Sequence, residues 1–102
     1  MDIVEIFKAL SNEKRLLVLK WLKEPEKHFT PPVVEGADFD NAGVCVTQLH
    51  QKLEVSQSTA SQYLSILLRA GLLEAKRVGK WTYYRRNEKV IQQLCHYLTK
   101  EL

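Results

Sequence analysis

Cysteine is scarce here: 102 residues contain only Cys45 and Cys95. Two thiols cannot build the disulfide framework that staples small secreted domains, and a reducing cytoplasm fits the composition best. Long apolar runs are missing too. No stretch approaches the ~20 residues of a membrane span. The opening "MDIVEIF" lacks the basic region and apolar core of a signal peptide. There is no Gly-rich phosphate loop, and His28, His50 and His96 are scattered. With two cysteines they give no catalytic triad and no cofactor site. An enzyme is the remotest reading, and no cofactor or resident metal is expected.

What is present is ordinary for a globular protein: 45% apolar and 26% charged residues. The length predicts one compact domain over residues 1–102, with a core that has little margin. A second chain would help it. A net charge of +3 means little until its placement is known.

Ile3, Ile6, Phe7 and Leu10 recur at helical spacing, so residues 2–10 predict a short amphipathic helix. "SNEKRLLVLKWLKE" predicts a second. Asn12 suits its N-cap, Glu13 favours the positive end of the dipole, and Pro25 blocks continuation. Residues 24–43 then hold all three prolines, two of the four glycines, and five acidic residues against one lysine. A loop this long is uncommon in so small a domain and is usually functional or disordered. Val44 to Val46 reads as a short strand. Thr47 is placed to cap a helix whose buried side carries Leu49 and Leu53.

"VSQSTASQYLSILLRAGLL", residues 55–73, is divided between two characters. Ser56 suits the N-cap, and Gln57, Ser58, Thr59, Ser61 and Gln62 are small or amide-bearing. Ala60, Leu64, Leu67 and Leu68 form one apolar stripe, and Gly71 ends the helix. "LLEAKRV-GK-WTYYRR" then predicts a β-hairpin turning at Gly79-Lys80. Residues 87–102 predict a last helix. Its stripe of Val90, Ile91, Leu94, Tyr97, Leu98 and Leu102 is broader than one small core needs.

Helix, turn, helix and basic hairpin, in that order, predict a mainly α fold with a small β-hairpin wing: a winged helix-turn-helix. The helix-turn-helix spans 47–70 and the wing 72–86. Leucines hold the C-terminal side of the second helix, so its N-terminal turn faces outward with free N–H groups that can meet phosphate. Gln can pair with adenine through two hydrogen bonds, and Ser or Thr can bond several base edges. Gln57, Ser58, Thr59, Ser61 and Gln62 are the candidate base readers. Between Lys76 and Arg86 there are five basic residues and no acidic one. Ser56, Tyr63, Lys76, Arg77, Lys80 and Arg85 are the candidate phosphate contacts. Caps and a solvated basic face would explain either feature alone; their order and spacing favour double-stranded DNA. Some of Trp81, Tyr83 and Tyr84 read as filling the inner face of the hairpin, with a stacking platform for single strands as the alternative.

These residues resemble the ArsR/SmtB family of bacterial repressors. "ALSNEKRLLVLKWL" is similar to the family's second-helix opening, "VSQSTASQYLSILLRAGLL" to its recognition helix, and "RVGKWTYYRRN" to its wing. The resemblance covers nearly all the chain except the proline-rich zone. It implies a homodimer joined through residues 2–10 and 87–102, an imperfect palindromic operator, and repression that a signal relieves. The chain also departs from the family. Tyr63 stands where members often carry His. Cys45-Val46-Thr47 stands where thiolate sensors carry Cys-Val-Cys. Glu88 and Val90 stand at early positions of a zinc-ligand set whose later members are absent. Soft metals want converging thiolates or imidazoles, and no full set is present.

Cys45 and Cys95 are the candidate sensing thiols, with plain packing as the alternative for each. A Cys45–Cys95 pair resembles the persulfide-sensing branch. For the 24–43 loop three readings stand open: a metal site of His28, Asp38, Asp40 and Cys45, a lid over a small organic effector, or an acidic turn kept away from DNA. A protein-interaction module built on a winged helix is the rival function.

Overall fold

A computed structural model describes all residues, 1–102. Five helices and a three-stranded antiparallel sheet follow in the order α1 (Ile3–Leu10), α2 (Glu13–Lys23), β1 (Val44–Cys45), α3 (Val46–Leu53), α4 (Gln57–Arg69), β2 (Leu73–Val78), β3 (Trp81–Arg86) and α5 (Glu88–Lys100). One 3-10 turn, Pro25–Lys27, follows α2.

Most helix starts obey local chemistry. Asp2, Asn12, Ser56 and Asn87 each accept a hydrogen bond from the backbone N–H three residues on. α3 is the exception and corrects the expected Thr47 cap. Its N-cap is Cys45, which offers no side-chain bond, and Val46 already belongs to the helix. The reason is positional: Cys45 is still paired with Tyr83 in the sheet, so the chain turns directly from strand into helix. Glu54 closes α3 in the left-handed conformation, at φ 58°. The turn between the two helices therefore has no glycine at its sharpest residue.

The core gathers Ile6, Ala9, Val18, Leu19, Leu22, Leu49, Leu53, Leu64, Leu67 and Leu72 with a few neighbours. Two basic side chains link helices by their carbonyl ends. Lys14 Nζ donates to the Leu53 carbonyl at 2.6 Å. Arg15 donates from Nε to Ala9 O at 2.7 Å and from Nη2 to Lys8 O at 3.1 Å. These cations meet the negative ends of α3 and α1.

The strand order is β1-β3-β2, so the expected hairpin gains a third strand. Val44 pairs with Tyr84 and Cys45 with Tyr83. Alternation puts Tyr84 and Val44 on one face and Tyr83, Trp81 and Cys45 on the other. Tyr84 packs against the helical core, and burial pushes its phenol above the ordinary value. Tyr83 is buried at 4% exposure but lies outside that core. The proline-rich segment lies on this side of the sheet, where Pro31, Pro32 and Val34 line a cleft with Tyr83. Phe29 is buried. Thr30 exchanges two hydrogen bonds with the Gln48 amide, each 2.9 Å. Asp38 and Asn41 cross-bond side chain to backbone at 2.7 and 2.8 Å. The sheet is thus a middle layer between the helices and a strap.

Gly43 carries the strap into β1. Its φ is +106°, and a Cβ there would stand 2.0 Å from the Tyr84 carbonyl oxygen. Gly43→Ala is expected to lower the thermal midpoint sharply, by more than the Leu67→Ala cavity costs (~2–5 kcal/mol). Thermal melts of both variants check the ranking.

Candidate nucleic-acid interface

α4 is held by one side. Ala60, Leu64 and Leu67 are buried in it, whereas Gln57, Ser58, Ser61 and Gln62 are exposed. Rotating the helix would bury amides and hydroxyls without partners, at several kcal/mol each by order of magnitude. The polar turn is consequently fixed outward. Ser56 Oγ accepts from the Thr59 N–H at 3.1 Å. This leaves the N–H groups of Gln57 and Ser58, the first two helical positions, with no partner inside the helix.

The capping group also redistributes the predicted roles. Ser56 Oγ donates to Thr59 Oγ1 at 2.9 Å and lies 3.2 Å from Ser58 Oγ. Thr59 is half-buried. Ser56 and Thr59 thus serve the cap first, and Gln57, Ser58, Ser61 and Gln62 are the freely presented set. Along the same helix Ser61, Gln62, Ser65, Ile66 and Arg69 line an open groove of about 370 Å³. Ser65 and Arg69 were missed by the sequence reading; continuing the polar face by fours from Ser61 would have found both. Tyr63 is half-buried, with the Arg15 guanidinium 5.9 Å from its ring centroid. Arg15 therefore touches α1 and α4 together.

In the wing the five basic residues part into two groups. Arg86 is tied to Glu88 by two bonds of 2.8 and 2.9 Å. Arg85 is tied to Glu74 at 3.0 Å and donates to the Asp40 carbonyl at 2.6 Å. Arg85 therefore anchors the strap, and its guanidinium is already engaged. Lys76, Arg77 and Lys80, nearer the tip, are exposed and carry no ion pair. Arg77 Nε donates to the Gly79 carbonyl at 3.1 Å, bracing the turn that Gly79 makes at φ +62°. Trp81 is half-exposed beside that turn.

The candidate sensing residues do not converge. His28, Asp38, Asp40 and Cys45 form no metal cluster, since no group of three or more His, Cys, Asp or Glu is close enough to hold an ion. Cys45 is half-buried at the sheet edge and Cys95 is exposed on α5; both are free thiols.

A family model described as bacterial regulatory protein, arsR family, matches residues 41–75. The chain is 57% identical to the HTH-type transcriptional regulator YbzH of Bacillus subtilis, over 100% of both chains. It is 33% identical to the arsenical resistance operon repressor of the same organism, over 94% of this chain and 73% of that one. The chain belongs to the ArsR family. Solved structures agree. A homodimeric winged helix-turn-helix DNA-binding domain from Mycobacterium bovis superposes with a TM-score of 0.65 at 25% identity, over 95% of this chain and 74% of that one. HlyU of Vibrio cholerae gives 0.61 at 31% identity, over 94% and 89%. This ArsR-family chain is a transcriptional regulator and not an enzyme. No helix in it is long and apolar enough to cross a membrane.

Because Arg85 bonds both Glu74 and the strap, Arg85→Ala is expected to free the segment around Asp40 while the helices stay folded. Limited proteolysis should then cut between residues 35 and 43 faster than in the wild type, with little change in helical circular dichroism.

Proposed function

We propose that this regulator is a homodimeric repressor that reads an imperfect palindrome in double-stranded DNA and lets go when a signal reaches it. The observation that carries the reading is the outward polar turn of α4, held there by its buried leucines. Gln57, Ser58, Ser61 and Gln62 enter the major groove, with Ser65 and Arg69 further along the same face. The amides supply bidentate contacts to base edges, and the free N–H groups of the first turn meet phosphate. Lys76, Arg77 and Lys80 grip the backbone beside the groove, with the Tyr63 hydroxyl as a further contact. Arg85 leaves the phosphate set because it holds the strap.

Dimerisation is supported by α5, which buries none of its residues within the single chain despite its broad apolar stripe. Met1, Val4, Phe7, Leu98 and Leu102 are exposed apolar residues at the two chain ends. Pairing α1 and α5 with a second copy removes that surface from water, at ~25 cal/mol per Å². The Mycobacterium bovis structure, a homodimeric DNA-binding domain, supports a dimer. Two-fold symmetry then sets half-sites about one helical turn apart, or a multiple.

Footprinting of genomic fragments captured by the purified protein would supply the operator. On it, Gln57→Ala or Gln62→Ala is expected to lose ~1–3 kcal/mol of base discrimination while binding random duplex normally. Arg77→Ala is expected to weaken both duplexes alike and reduce the salt slope by about 1. Equal losses on operator and random DNA for both glutamine variants would remove them from the reading set. Phe7→Asp is expected to shift the sedimentation coefficient towards the monomer and weaken operator binding with it.

A further inference from the structure

The strap does not lie flat on the sheet. Between Pro31, Pro32 and Val34 on one side and Cys45, Trp81 and Tyr83 on the other is a cleft of about 330 Å³. Ligand pockets run from ~300 to ~1,000 Å³, so the space suits a small molecule. It stays open for a covalent reason. β1 is an edge strand with β3 as its one neighbour, and a passing segment would ordinarily pair with such an edge. Pro31 and Pro32 have no N–H to donate and a fixed φ, so the strap cannot join the sheet as another strand. Its two ends are meanwhile held, by Thr30 on Gln48 and by Asp40 on Arg85. The gap is therefore preformed, and little ordering is needed to fill it.

The lining specifies the occupant. In a chain with 26% charged residues, not one charged side chain lines this cleft. An ion entering it would lose water and gain no partner. The walls are proline and valine carbons and two aromatic rings. Trp81, 50% exposed, is a large apolar ring that the chain leaves half uncovered. The Gln48 amide is used up by Thr30, so the Thr30, Thr47 and Tyr83 hydroxyls and the Cys45 thiol remain as polar partners. We propose that this cleft binds a small, uncharged, flat organic molecule whose ring lies against Trp81. Trp81 begins the wing strand next to Gly79-Lys80, and Thr47 and Gln48 lie in the first turn of α3, so the occupant joins strap, wing and helix-turn-helix at one point. As the seat of the releasing signal the cleft rests on the repressor reading; its occupancy does not.

The test uses the full chain without DNA, so that it judges the cleft apart from the repressor reading. In a Trp21→Phe background Trp81 is the sole indole, and N-phenyl-1-naphthylamine serves as an uncharged aromatic probe. Saturable binding of one probe per chain, with quenching of Trp81 emission, is expected. Trp81→Ala and Val34→Glu should each weaken probe binding about tenfold or more, with thermal melts close to the parent. Lys20→Ala, on the exposed side of α2, should leave the probe affinity unchanged. Absence of saturable binding overturns the proposal. So does affinity that survives both Trp81→Ala and Val34→Glu, which would place the probe elsewhere on the chain.

Discussion

The seating of Leu64 and Leu67 against Leu49, Leu53 and Leu72 is the constraint on which the rest depends. α4 has one side that can be buried at a gain and another that can be buried only at a loss. The rotation of the helix is settled by that difference, with no contact required from its polar end. Ser56 then completes the start of the helix using its own oxygen, leaving the amide side chains without an intrachain duty. Lys14 and Arg15 add stiffness from below by fastening α2 to the last carbonyls of α3 and α1. The exposed turn therefore sits on three helices that cannot easily shift relative to one another.

The strap adds a second layer of organisation, on the face of the sheet away from the helices. It lies on the Tyr83 side of the sheet and offers the Asp40 carbonyl to Arg85 at the base of the wing. The wing's cations are sorted by carboxylates of β2 and α5. Arg85 and Arg86 face Glu74 and Glu88, while Lys76, Arg77 and Lys80 keep their positive charge for whatever approaches from solvent. At physiological salt the Debye length is ~8 Å, so a carboxylate paired at the base takes little from the potential at the tip.

Much of this was legible in the residues. The helix boundaries, the outward turn of α4 and the hairpin follow from period, caps and turn residues, all of which act over a few positions. The exposed apolar residues of the terminal helices were foreshadowed by stripes wider than one core could use. Three things were not legible. The pairing of Cys45 with Tyr83 joins segments far apart in sequence, and with it the N-cap of α3 moved two residues, from the expected Thr47 to Cys45. The division of the basic hairpin into tied and free cations depends on where Glu74, Glu88 and the Asp40 carbonyl stand in space. The strap itself lacks any period: turns around Asp38 and Asn41 order one part of it, and Gln48 of α3 and Arg85 of β3 hold its ends. Where structure is made by long-range partners, local propensity has nothing to report.

The sheet ends on its other side with β2, whose outer edge has no neighbouring strand. Such an edge is a template for recruiting another polypeptide, and like charges along it repel a second copy. Glu74, Ala75, Lys76 and Arg77 are all exposed along this edge. The two unpaired cations Lys76 and Arg77 thus also discourage strand-to-strand aggregation, so on the proposed reading DNA affinity and colloidal behaviour depend on the same two side chains.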